Sequence, residues 1–133
     1  MCIRDSVYPG SFNPLHEGHR ELARAARSLV CARDGTTTAG LAFEMSAVHP
    51  DKGVLSREVI VERLAQFRGV SPVLVSRAAL YASKAEIYPG SQLLVGTDVV
   101  HKVLNPKYTN NSLFALHSSL ERIRASGLSL IHI

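Results

Sequence analysis

The chain holds 133 residues, with 15 Lys and Arg against 11 Asp and Glu, 46% hydrophobic residues and 20% charged ones, one globular domain's worth of material. It is too short for two substantial domains, too apolar for a disordered tail, and lacks any run approaching the roughly 20 apolar residues of a membrane span. Two cysteines, Cys2 and Cys31, cannot build a disulfide framework, and the first 30 residues hold no secretory core, so a cytoplasmic setting without a membrane partner is expected; the net charge of +4 suits phosphates at least as well as nucleic acid.

Residues 1–6 (MCIRDS) and 128–133 (LSLIHI) match the rest of the chain poorly and resemble translated sequencing-adapter sequence, so residues 7–127 are expected to be the natural domain, truncated at both ends. Residues 3–6 would otherwise set charges and a hydroxyl into a buried strand, whereas 128–133 alternates well enough to pass as an edge strand by chance.

Val7 and Tyr8 lead into the turn-rich segment Pro9-Gly10-Ser11-Phe12-Asn13-Pro14. A helix is predicted from Glu17 to Ala32, with Leu22, Ala25, Ala26 and Leu29 as its apolar face and the row Arg20, Arg24, Arg27 solvated. Leu41 to Val48 alternates as a strand, with Leu41, Phe43, Met45 and Ala47 on one side. After a polar loop at 49–53, Ser56 is placed as the N-cap of a helix through Phe67 with Ile60, Leu64 and Phe67 in one stripe. Pro72 to Ser76 reads as a short buried strand, 83–88 as a short helix, and Gln92 to Gly96 as another buried strand followed by a cap at Thr97-Asp98. The last helix is predicted over 112–126, with Leu113, Leu116, Leu120 and Ile123 facing the core.

Strands alternating with helices imply right-handed crossovers and a doubly wound parallel sheet in three α/β/α layers, Rossmann-like and incomplete at the C-terminus. In such a sheet ligands bind beyond the carboxyl ends of the strands, where segments 10–19, 49–52 and 96–98 converge.

The chemistry concentrates in Gly10-Ser11-Phe12-Asn13-Pro14-Leu15-His16-Glu17-Gly18-His19. Gly10 permits close backbone approach, Ser11 offers a hydroxyl and an N–H, and Pro14 stiffens the turn. His16 and His19 lie on one side of a helix start, beside unpaired N–H groups and the positive end of the dipole, with Gly18 leaving room for a base or phosphate. The local alternatives are a His-x-x-His metal pair, for which no further ligand stands at zinc spacing, and plain surface histidines.

This segment resembles the G-x-F-x-P-x-H-x-G-H signature of the nucleotidylyltransferase superfamily, all six fixed positions recurring in order after a strand and into a helix. The wording G-S-F-N-P-L-H-E-G-H and V-G-T-D is similar to that of nicotinamide- or nicotinate-mononucleotide adenylyltransferases. The resemblance covers residues 7–127 and implies transfer of a nucleotidyl group, adenylyl first, from a nucleoside triphosphate to a phosphorylated acceptor, with Mg2+ held mainly through the nucleotide's phosphates and no protein metal site. It implies His16, His19 and Lys52 as catalytic groups, Lys52 having a solvated loop position as its alternative. Gly10, Ser11, Phe12, Gly18, Gly96 and Asp98 become nucleotide-binding residues, although Asp98 also serves as a simple helix cap. Arg77 is a weaker candidate for the acceptor. The family's hydroxyl-arginine segment, of I-S-S-T-x-x-R type, has no match in 113–133. A pyridine mononucleotide is the first acceptor expected, with pantetheine phosphate or cytidylyl transfer to a phosphorylated alcohol as alternatives. A noncatalytic nucleotide-binding module is the competing class. Neither a nucleic-acid partner nor an oligomeric state is implied.

Overall fold

The computed structural model describes residues 5–125 and 129–132, the side chains of residues 97, 98 and 129–132 excepted. Strands β1 (Ser6–Pro9), β2 (Leu41–Ser46), β5 (Val73–Ser76), β6 (Gln92–Val95) and β7 (Ser129–His132) form one sheet in the order β5-β2-β1-β6-β7, and every pairing is parallel. Parallel neighbours need crossovers, and helices α1 (Glu17–Asp34), α2 (Arg57–Ala65), α3 (Tyr81–Ile87), α4 (Thr97–Val103) and α5 (Leu113–Ala125) supply them. Strands β3 (Val48–His49) and β4 (Gly53–Val54) make a separate two-stranded hairpin, and a 3-10 turn spans Pro106–Thr109. The Rossmann-like α/β class expected from the alternation is the one observed.

The central strands are buried on both faces, so burial runs continuously instead of alternating. All four residues of β1 and all four of β6 are buried, as are Phe43, Glu44 and Met45 in succession on β2. One core layer gathers Tyr8, Phe12, Ala23, Ala26, Val30, Phe43, Phe67 and Leu94; the other gathers Val7, Ala82, Ala85, Tyr88, Leu93 and Ile123.

Several local expectations are corrected. The buried stripe of α1 is Ala23, Ala26 and Val30 with Leu22 packed beside it, while Leu29 is 52% exposed: two of the predicted positions lay one residue off the true contact line. β2 stops at Ser46, because the Ser46 hydroxyl accepts from the Val48 amide at 3.1 Å and donates to the Val48 carbonyl at 2.7 Å, turning the chain into the hairpin. β5 is an edge strand with Val75 47% exposed, not a buried one. On α5, Ile123 is buried and Leu116 and Leu120 half-buried, but Leu113 is 72% exposed; the helix packs against α3 and the 3-10 turn. Ser6 opens β1 with Asp5 just before it, and the side chain of Ser6 is buried with its hydroxyl unpartnered among the described residues, whereas residues 3 and 4 of the expected charged stretch lie outside the described residues. Ser56 caps α2 as expected, accepting from the Val59 amide at 3.3 Å.

Candidate active site

From β1 the chain winds outward through β2 to β5, then crosses back to β6 on the other flank of β1. The crevice between β1 and β6 is therefore the topological switch point of the sheet. The loops leaving those two strands, Gly10–His16 and Gly96, flank it. A cavity of about 420 Å³ opens here, a size within the range of roughly 300–1,000 Å³ usual for small-molecule sites. Its walls include Ser11, His16, His19, His49, Arg63 and Lys102, and no Asp or Glu is among the described lining residues. A cavity with this balance favours an anion.

The turn is built by Phe12. Its backbone takes φ 47°, a left-handed conformation rare outside glycine, and its ring is anchored edge-on against Tyr8, Phe43 and Phe67 at centroid distances of 5.2–5.6 Å. A Cβ on Gly10 would lie 2.7 Å from that ring, so Gly10 makes room for Phe12, and its backbone also lines the cavity. Phe12 borders the cavity but is itself buried core. Gly18 is not among the lining residues, and a Cβ there would sit 3.1 Å from the His16 imidazole.

His16 is the N-cap of α1 and His19 follows three residues on, and their rings stack with centroids 3.7 Å apart. The His16 amide donates to Nδ1 of His19 at 3.1 Å, which fixes Nδ1 as the acceptor and puts the neutral ring's proton on Nε2. The His19 amide donates to the His16 carbonyl at 3.1 Å, and the two imidazoles stand at the positive end of this 18-residue helix.

His49, which the sequence reading noted only as part of a polar loop, also lines the cavity. Its Nδ1 accepts from the amides of Asp51 and Lys52 at 3.0 and 3.2 Å, again leaving Nε2 to carry the proton. Lys52 itself is exposed at the hairpin tip and is not among the lining residues, and neither is the exposed Arg77. Asp51, beside Lys52, is tied to the 3-10 turn, accepting from Lys107 Nζ at 2.9 Å and from the Tyr108 hydroxyl at 3.2 Å. The hydrogen bond from Lys107 holds the Asp51 carboxyl below its ordinary pKa, and the same bond raises that of Lys107. Gly96 lines the cavity as the N-cap residue of α4, while the side chain of Asp98 lies outside the described residues.

One buried ion pair escaped the sequence reading. Lys84 on α3 reaches Glu44 on β2, both nearly inaccessible, with Nζ donating to the two carboxylate oxygens at 2.8 and 3.1 Å and to the Ala78 carbonyl at 2.8 Å. The Ser76 hydroxyl also donates to Glu44, and its oxygen accepts from the Ala78 amide, so the pair pins the β5–α3 loop that walls the cavity. Burial, followed by the nearby Glu44 charge, raises the pKa of Tyr88 beside this cluster and keeps the phenol neutral. A second cavity of about 90 Å³ shares His49, Tyr81 and Lys102 with the first and continues between Leu80, Ala82, Val103 and Ile123.

A parallel sheet flanked by helices, with a cavity at its switch point beside a helix N-terminus, defines a Rossmann-like α/β protein. The sequence model of the cytidylyltransferase-like family matches residues 7–119, and the chain belongs to that family. The match supports nucleotidyl transfer as the general class of chemistry. No curated protein and no solved structure matches the chain. No helix of the described residues is long and apolar enough to cross a membrane.

Proposed function

We propose that this protein transfers a nucleotidyl group, adenylyl by preference, from a nucleoside triphosphate to the phosphate of a small acceptor and releases pyrophosphate. The observation that carries the reading is the switch-point cavity: Ser11 and two stacked imidazoles at a helix N-terminus, further cations on the walls, and no carboxylate among the described lining residues. An acceptor phosphate oxygen attacks the α-phosphorus in line, and the new P–O bond forms as the bond to the α,β-bridging oxygen breaks. The electron pair leaves with pyrophosphate.

Such a step needs positioning and charge stabilisation rather than a covalent nucleophile. His16 and His19 present N–H donors to the oxygens on which charge develops, and Ser11 holds a phosphate through its hydroxyl and amide. Among the described residues no group of three or more His, Cys, Asp or Glu could hold a metal, so Mg2+ fits as an ion carried on the nucleotide's own phosphates, whose charge it neutralises. The smaller cavity, where Leu80, Ala82, Val103 and Ile123 supply an apolar wall, suits the uncharged part of an acceptor such as a pyridine mononucleotide. The positions of Lys52 and Arg77 off the cavity favour a second reading, a nucleotide-binding module without transfer activity.

Pyrophosphate release separates the two. The chain is mixed with ATP or CTP and, in turn, nicotinamide mononucleotide, nicotinate mononucleotide and pantetheine phosphate. Release that depends on both substrates is expected, fastest with ATP and a pyridine mononucleotide. Nucleotide binding with no release from any pair would leave the binding module.

A further inference from the structure

Three basic side chains besides the histidines line the larger cavity, and they are not equivalent. Lys84 is spent, because its three N–H groups already serve Glu44 and Ala78. Lys102 is an exposed side chain on α4. Arg63 on α2 is half-buried, forms no ion pair with any described carboxylate, and donates through Nη1 to the Ser11 carbonyl at 3.3 Å. That bond uses one of five guanidinium N–H groups.

The neighbouring Gln66 grips the same turn from both sides. Its Nε2 donates to the Phe12 carbonyl at 2.9 Å and its Oε1 accepts from the Leu15 amide at 2.7 Å. The end of α2 is thus fixed to the turn at three points, and the guanidinium is held beside Ser11 before any ligand arrives. A neutral amide would satisfy the Ser11 carbonyl equally well, so the positive charge exceeds what the turn requires. An unpaired, preorganised guanidinium fork on the wall of a cavity without described carboxylates matches the geometry of phosphate oxygens.

We propose that Arg63 is a phosphate-binding residue of this site, its guanidinium gripping the polyphosphate of the nucleoside triphosphate. The class of ligand rests on the nucleotidyl-transfer reading, but the test needs no turnover. The full chain is titrated calorimetrically with inorganic tripolyphosphate at several salt concentrations, as wild type, Arg63→Gln, Arg63→Lys and Arg68→Gln. Arg68 is an exposed residue off the cavity, so its variant controls for net charge. Arg63→Gln keeps a donor for Ser11 and is expected to weaken binding about ten- to a hundredfold and to flatten its salt dependence. Arg63→Lys recovers part of the loss, as a point charge without the fork, and Arg68→Gln binds as wild type.

Wild-type affinity in a folded Arg63→Gln protein overturns the assignment, as does an equal loss in Arg68→Gln, or a wild-type chain that does not bind tripolyphosphate. Should Arg63→Gln not fold, wild-type affinity in Arg63→Lys with an unchanged salt dependence rejects the fork, and a partial loss upholds it. Binding that depends on Arg63 in a chain that never releases pyrophosphate would retire the transfer reading and keep this one.

Discussion

At the scale of single residues, the stacked imidazoles and a buried hydroxyl make opposite demands on the fold. His16 and His19 stand at the positive end of α1 with one amide already fixing the His19 tautomer, an arrangement that favours a charge-stabilising role over ground-state binding. Replacing either by Ala is expected to lower the turnover number about a hundredfold with a smaller change in nucleotide KM. Steady-state kinetics check this, and unchanged turnover in both variants removes the pair from the mechanism. Ser6 occupies the most central strand with its side-chain oxygen buried and unpartnered. Ser6→Ala deletes that group and is expected to stabilise the protein by about 1–2 kcal/mol, read as a higher melting temperature. The ten-residue signature was legible because its parts are contiguous and their turn chemistry is local. The packing role of its glycines was not legible: only the folded chain reveals that the Phe12 ring and the His16 imidazole stand beside Gly10 and Gly18.

Between elements, contact depends on which way a segment turns, and here pattern reading loses its hold. Lys52 and Asp51 are adjacent in sequence, yet Asp51 ties the β3–β4 hairpin to the 3-10 turn while Lys52 is exposed and off the cavity's lining, which His49 joins. The Glu44–Lys84 pair joins a strand to a helix 40 residues away, and an alternating strand pattern gives no warning that Glu44 is buried. The Asp51–Lys107 contact has a definite pH signature. Because the folded Asp51 pKa lies below its ordinary 3.8, the hairpin's hold is complete above that value and is lost as pH falls through the lower, folded one. Lys107, raised from 10.5, keeps its half up to that value and loses it as pH climbs through the higher folded one. Asp51→Asn is expected to increase amide exchange at residues 50–53 and 106–109 at neutral pH and to abolish the acid dependence of that exchange. Hydrogen-exchange mass spectrometry reads both.

At the scale of the whole molecule, the alternation of strands and helices sufficed for the fold class, since only right-handed crossovers onto a parallel sheet accommodate it. Which strand ends at an edge was not legible. The apolar run of β5 reads like that of β6, and only the sheet order shows the first at the rim and the second between two neighbours. That order also bears on how the protein assembles. β1 meets β2 at Ser6–Leu41, 35 residues apart, but meets β6 at Ser6–Gln92, 86 residues apart, so the chain closes a far larger loop to form the crevice than to form the half-sheet beside it. The cleft between β1 and β6 is therefore expected to be completed late, after the barrier to folding has been crossed. A bound triphosphate is then expected to slow unfolding in proportion to its affinity while leaving the refolding rate unchanged, a pattern that the two limbs of a stopped-flow chevron measured with and without ligand distinguish. A cell that lets its nucleotide pool fall would then shorten the lifetime of the native protein without hindering the folding of newly made chains.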